Sequence, residues 1–363
     1  MRRNGSRAGC ATAVVLVALS AASGAVAKSL TKSVSVGPPP QTNQIAAKLG
    51  VTKKFGQQFS PDINAYFNKK TTINVGDTVS FVVRGFHTVD FPAKGGSALP
   101  LIVPGKTLVS GVNDAAGNPF WFNGKVPNVG INPALFGPLK AKTYNGSQRW
   151  DSGAPLGKPK PLKLTFTKAG TYHYFCDIHP GMIGTVVVKP AGASIPTAKQ
   201  DAAATVAQVT AAVKAAGKLI KAKQPANTVS LGESAPGGVE LFDMFPASLT
   251  VKAGTTVTFH MSKHTFETHT ATFGPTPVLK TLAKAFEGVN LPAQGVFPSD
   301  PPGSTITESP TAHGDGFANT GALDNNSKST TIPSSGQIDF TTPGTYHFIC
   351  LIHSFMRGTI IVK

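Results

Sequence analysis

Residues 167–189 read TKAGTYHYFCDIHPGMIGTVVVK, and residues 341–363 read TTPGTYHFICLIHSFMRGTIIVK. Aligned without a gap, thirteen of the twenty-three positions are identical, 174 residues apart. Each copy holds Cys-x2-His-x2-Met: Cys176, His179 and Met182, then Cys350, His353 and Met356. Alternating apolar residues on either side mark strands, so the three side chains share a short loop between two strands. A thiolate, an imidazole and a thioether form a soft donor set. Such a set suits copper better than calcium, magnesium or a closed zinc site, which rarely uses thioether sulfur.

A trigonal copper site of two nitrogens and one thiolate, with methionine as weak axial ligand, needs a second histidine. Residues 75–91 read VGDTVSFVVRGFHTVDF, and residues 253–273 read AGTTVTFHMSKHTFETHTATF. The Gly-x-Thr-Val-x-Phe strands match, and so do the endings HTVDF and HTATF. That alignment selects His87 and His269, with a longer turn in the second copy. His264 is the rival to His269, but its neighbours do not match HTVDF. His173 and His347 lie three positions before each cysteine and so face the other side of the strand, which predicts surface or structural roles. His260, His264 and His313 have no counterpart in the first copy and are expected at the surface. Met244 and Met261 read as packing residues.

On these residues both halves resemble the cupredoxins, the small blue copper proteins that include plastocyanin, pseudoazurin and amicyanin. The Cys-x2-His-x2-Met spacing is most similar to amicyanin. The resemblance covers roughly residues 60–189 and 240–363. It departs from the plastocyanin pattern where Thr88 and Thr270 stand directly after the first histidine in place of asparagine; a hydroxyl there can still tie the two ligand loops together.

Arg2, Arg3 and Arg7, the apolar run 11–19 and Ala25-Val26-Ala27 read as a secretory signal over residues 1–27. The run is too short to span a bilayer, and no later stretch is long and apolar enough. Beyond the signal two cysteines remain, one per copy. A single disulfide would satisfy an oxidising compartment, but it leaves the repeated His and Met spacing unexplained. The formal net charge is +17. No basic cluster interleaved with aromatics appears, so the charge argues against nucleic acid and for steering toward an acidic partner or an anionic envelope.

The chain divides into the signal 1–27, a first domain 28–190, a helical linker 191–226 and a second domain 227–363. Residues 28–58, broken by Pro38, Pro39 and Pro40, read as an extended arm with one edge strand near Val34–Val36. Phe67, Thr71, Ile73 and Val75, then Val79, Phe81 and Val83, alternate as two strands; Phe245, Leu249, Val251, Val257 and Phe259 repeat the pattern. The insertions 92–160 and 275–335 are rich in Gly and Pro and fall between first histidine and cysteine, where they are expected to pack beside each sandwich. Thr197 and Gln200 form a capping box, and Val206, Val209, Val213, Ala216 and Ile220 make a helical stripe suited to docking on a sheet. The fold class is therefore all-β: two Greek-key, cupredoxin-like β-sandwich domains joined by an amphipathic helix.

The resemblance implies an exported electron carrier with one type 1 copper site per domain and a redox partner protein of acidic surface, not an enzyme. Four protein ligands fill each site and leave no position for substrate. In the family the outer edge of the loop histidine reaches solvent through an apolar patch, here Pro180 and Gly181 around His179, and Ser354 and Phe355 around His353. A multicopper oxidase or nitrite reductase needs histidine beside the cysteine, where this chain has Phe175, Asp177, Ile349 and Leu351. Copper storage or delivery is the other alternative, but it favours Met- or His-rich tracts that this chain lacks. The expected localisation is secreted, periplasmic or cell-envelope.

Overall fold

The alternating segments pair into four principal sheets that pack as two β-sandwiches, the all-β fold expected from the pattern. The computed structural model describes residues 29–56, 60–138, 141–156, 160–326 and 332–363. The export signal expected over residues 1–27 lies outside the described residues.

In the first sandwich one sheet runs in the order Tyr66–Phe67, Thr31–Val36, Thr78–Val83, Leu162–Phe166, Thr143–Tyr144. The facing sheet runs Trp150–Asp151, Asp90–Phe91, Gly170–Phe175, Ile183–Lys189, Lys70–Asn74. In the second sandwich, Ile306–Glu308, Ser335–Phe340, Thr255–His260, Thr228–Ala235, Val239–Phe245 and Asp62–Ile63 form one sheet. Ser248–Val251, Arg357–Val362, Gly344–Ile349, Thr272–Phe273 and Ala318–Asn319 form the other. Non-consecutive strands lie side by side, as a Greek key requires.

The inward residue of each alternating pair fills the space between sheets. Phe81, Phe91, Phe166 and Tyr174 meet in the first core; Phe259, Phe273, Phe340 and Phe348 take the matching places in the second. Each fully buried ring of this kind contributes about 1.5–3 kcal/mol relative to leaving it in water. Two repeated glycines make room for them. A Cβ at Gly184 would lie 2.2 Å from the Tyr174 ring, and one at Gly358 would lie 2.3 Å from the Phe348 ring. The rings therefore lie flat across the neighbouring strand only because these positions have no side chain.

Three expectations are corrected. Val34–Val36 is not an edge strand: Thr31–Val36 runs parallel to Thr78–Val83 over its whole length, with Tyr66–Phe67 on its other side. Its alternate residues Val34 and Val36 are fully buried, which makes it a core strand despite the prolines that follow. The rest of the arm is not extended throughout, because Thr42–Lys48 is helical. The insertions pack against each other and not merely beside their own sandwiches. Phe120 and Phe122 from the first meet Leu279, Leu282 and Phe317 from the second in a separate cluster that reaches Leu351.

The helix with the capping box spans Ala198–Leu219; Thr197 N donates to Gln200 Oε1 at 2.8 Å, and Gln200 N donates to Thr197 Oγ1 at 3.3 Å. Val209, Val213 and Ala216 are buried against Ala46, Ile63, Phe67 and Leu241, whereas Val206, expected in the stripe, is exposed. Thr276–Ala285 is a further helix that the sequence reading did not include. No helix among the described residues is long and apolar enough to cross a membrane.

Candidate metal centres

The two strand pairs deliver the predicted residues to the same end of each sandwich. His87 follows Thr78–Val83 and precedes Asp90–Phe91; Cys176 directly follows the strand Gly170–Phe175, and His179 and Met182 lie on the loop before Ile183–Lys189. The second copy repeats this with His269 before Thr272–Phe273 and Cys350, His353 and Met356 after Gly344–Ile349. In each group the cysteine sulfur and both imidazoles present ligand atoms within 4.8 Å of one another.

His87 Nδ1 and His179 Nδ1 are 3.0 Å apart, with Cys176 Sγ 3.9 Å from the first and 3.4 Å from the second. His269 Nδ1 and His353 Nδ1 are also 3.0 Å apart, with Cys350 Sγ at 3.6 and 3.9 Å. Backbone hydrogen bonds fold each methionine back toward its cysteine. Cys176 N donates to Met182 O at 3.1 Å and Met182 N to His179 O at 3.0 Å; Cys350 N donates to Met356 O at 3.1 Å and Met356 N to His353 O at 2.8 Å. Both methionines and both cysteines are buried, and the cysteines are free thiols, so no disulfide joins the copies.

Thr88 and Thr270 do tie the ligand loops. Asp177 N donates to Thr88 Oγ1 at 2.8 Å, and Leu351 N donates to Thr270 Oγ1 at 2.9 Å. Sulfur accepts from the backbone as well, from Thr88 N at 3.4 Å in the first copy and from His353 N at 3.3 Å in the second. His173 and His347 point away, each toward the threonine across the strand pair (Thr185 and Thr359), at 3.1 Å in both copies. His264 is exposed, whereas His313, expected at the surface, is half-buried: it stacks on Phe120 and faces Asp114 and Asp300.

Two features escaped the sequence reading. Gly37 and Gly232 both take positive φ, +87° and +81°, and lie behind the outer edge of the first histidine. A Cβ at Gly37 would stand 3.0 Å from His87 Nε2, and one at Gly232 would stand 3.3 Å from His269 Nε2. Ser35 and Ser230 donate to the two glycine carbonyls. The matching words VSVG, residues 34–37, and VSLG, residues 229–232, were the available signal. The second feature is Glu267, on the longer turn of the second copy. Its carboxylate lies 3.2 Å from His179 Nε2 and 3.7 Å from His353 Nε2.

At His179 that carboxylate replaces the solvent edge expected at the loop histidine. His179 is only 8% exposed. Phe266 packs on the first core, and a Cβ at Gly181 would strike its ring. His353 is partly open and borders Phe242 and the exposed Phe355.

Electrostatics separate the two thiols. Burial pushes both up; at Cys176 the facing His179 and His87 overcome it and hold the thiol well below its ordinary value. At Cys350 burial prevails over the N–H groups of Thr270 and His353. The asymmetry follows Glu267. Burial raises its carboxyl, but His179 and then His353 draw it below the usual carboxylate range. Burial disfavours charge on His179, yet Glu267 and Cys176 lift it well above the ordinary imidazole value. His353, farther from the carboxylate, stays lowered by burial, and burial with His353 brings His269 down to about 3. Inward-facing nitrogens, a buried cysteine and a buried thioether residue in both groups fit copper by the chemistry of their donors.

No protein-family model matches the chain, and no curated protein matches it. Solved structures to which it is similar are cupredoxins. One is the oxidized form of plastocyanin from Dryopteris crassirhizoma, 23% identical over 38% of this chain and 99% of that chain, TM-score 0.21. A second is reduced auracyanin from the photosynthetic bacterium Roseiflexus castenholzii, 17% identical over 39% of this chain and 99% of that chain, TM-score 0.24. A third is a purple cupredoxin from Nitrosopumilus maritimus, 14% identical over 38% of this chain and 100% of that chain, TM-score 0.21. The chain's own paired sandwiches and twin His–Cys–His groups, and not these low scores, carry its likeness to the cupredoxin class.

Proposed function

We propose that this is an exported electron-transfer protein with one type 1 copper site in each sandwich domain. His87, Cys176, His179 and Met182 serve the first site, and His269, Cys350, His353 and Met356 the second. The reading rests on one observation: the same two-nitrogen, one-sulfur triad, buried in the first copy and buried but for the partly open His353 in the second, with methionine folded behind it, occurs twice. Copper bound there supplies a one-electron couple. The residues supply a rigid cage: sheet ends fix the histidines and cysteine, and Thr88 and Thr270 clamp the loops so that little rearranges when charge changes. Burial also slows exchange of the ion with solvent, which favours a carrier over a delivery protein. The boundaries 28–190, 191–226 and 227–363 and the signal 1–27 belong to the same proposal. The basic charge of the chain suits a redox partner with an acidic surface.

Metal analysis with a visible spectrum tests it. Two coppers per chain and intense thiolate-to-copper absorption are expected, and Cys176→Ser and Cys350→Ser should each remove about half of that absorption, one site in two. A colourless chain, or one replacement that bleaches both sites, overturns the reading.

A further inference from the structure

The loop histidines of the two groups face each other across a single carboxylate. Their Nδ1 atoms turn inward to the cysteines, so the outward nitrogen of each is Nε2. His179 Nε2 stands 3.2 Å from Glu267 Oε1, and His353 Nε2 stands 3.7 Å from Glu267 Oε2. One oxygen thus serves each centre. Glu267 lies on the turn before His269 where the second copy is longer than the first, and it is buried.

The carboxylate is held in place from both halves. Asn64 Nδ2 donates to Glu267 Oε1 at 2.6 Å, and Glu267 N donates to Thr265 Oγ1 at 3.0 Å. The turn itself is pinned by Glu240, which accepts from Phe266 N at 2.6 Å and from Thr265 Oγ1 at 3.2 Å. Phe266, the neighbour of Glu267, packs on the first core and anchors the crossing. An isolated buried carboxylate is costly; one that faces two imidazoles and an amide is compensated.

We propose that Glu267 is a bridging residue that joins the two centres into one internally exchanging pair. The inference rests on the reading of both groups as copper sites. His179 faces its carboxylate oxygen at 3.2 Å and His353 faces the other at 3.7 Å, giving a short route His179–Glu267–His353 that is buried at Glu267 and His179 and partly open at His353. With copper held in both groups, an electron given up by a cuprous ion in one would be taken up by a cupric ion in the other. No proton leaves, and no outside oxidant or reductant is consumed. The same buried negative charge faces both centres and favours the more positive, cupric state of each.

The test uses the full chain, copper-loaded, as wild type, Glu267→Gln and Glu267→Ala, with circular dichroism to establish that each variant folds. Half-reduced wild type should re-equilibrate between its two centres at a rate independent of protein concentration. Both variants should slow that internal step roughly tenfold or more. Glu267→Gln should also raise the reduction potentials of both centres together. In metal-free protein, nitrogen-15 NMR should show the Nε2 signals of both His179 and His353 moving in Glu267→Gln. Because Glu267→Ala also strips Asn64 of its partner, Asn64→Ala serves as the structural control and should keep fast internal exchange. A chain that binds no copper sinks the reading of the sites. A chain with two coppers whose exchange rate and potentials ignore position 267, or whose exchange scales with protein concentration, sinks the bridge.

Discussion

The two Cys-x2-His-x2-Met loops share their candidate ligands and differ in what surrounds them. After the first cysteine comes Asp177, buried; after the second comes Leu351, also buried. The HTVDF word carries Asp90, where HTATF carries Thr272. Around the first centre Thr88 Oγ1 donates to Asp177 Oδ2 at 3.1 Å, Leu99 N donates to Asp177 Oδ1 at 2.8 Å, and Arg149 pairs with Asp90. Around the second, Thr270 meets Thr272 at 2.9 Å, and Thr272 donates to Asn319 at 2.8 Å, a neutral chain ending beside the apolar insertion cluster. Glu267 faces both cages, but the first has two aspartates beside its cysteine loop where the second has hydroxyls, an amide and apolar side chains. Similar ligand geometry can thus serve different driving forces, because charge and dielectric around the ligands are set by positions the ligands do not occupy.

The strongest way to break this comparison is to ask whether the two frames are mechanically equivalent. Gly184→Ala and Gly358→Ala should each destabilise by about 1–3 kcal/mol, since a methyl would be driven into a packed ring. Thermal melting reads the loss. If one replacement is harmless, the sandwiches are not the same device built twice.

Next in size is the exchange of surroundings. Asp177→Leu should raise the potential of the first centre, and Leu351→Asp should lower that of the second, each by on the order of 60 mV, the one-electron equivalent of a tenfold change. Spectroelectrochemistry on the copper-loaded chain measures both. Equal potentials in the wild type, with no response to either change, would mean that the acids are spectators.

The smallest effect concerns the outer strands. Phe166 pairs across the sheet with Tyr144, and Phe340 with Glu308, so a glutamate stands in the second sandwich where the first has tyrosine. Tyr144 donates its hydroxyl to Pro92 O at 2.8 Å, whereas Glu308 Oε2 has no hydrogen-bond partner among the described residues. Burial, with a smaller contribution from Asp315, pushes the Glu308 carboxyl from its ordinary 4.5 up to about 8. The folded chain therefore holds this proton after the unfolded chain has released it. Stability falls as pH rises from about 4.5 toward 8 and levels off above. Glu308→Gln should flatten that fall, leaving melting near pH 4 almost unchanged and raising it by a few degrees near pH 8.

The ligand loops were legible because their chemistry and their spacing repeat together; chance rarely returns Cys, His and Met in register between matching strands. Strand positions followed from alternation, and the helix at 198–219 from its cap. Other parts left weaker traces. Gly37 and Gly232 lie in words of four residues, too short to align without knowing that a histidine packs behind them. The helix Thr276–Ala285 has a proline-rich start and a stripe that is buried only because Phe120 and Phe122 arrive from far upstream. Glu267 could not be found from its surroundings in sequence at all. Its role arises from two loops that meet only in space, and an isolated glutamate on a turn has no period to betray it.

The two-residue strand Asp62–Ile63 precedes most of the first sandwich along the chain, yet it hydrogen-bonds to Val239–Phe245 at the margin of the second. The halves are therefore interleaved and not threaded like beads. Cleavage of the backbone near residue 225 would leave two pieces still sewn together by that crossing strand, and a second half made on its own would present the bare rim of Val239–Phe245 to whatever strand it met first.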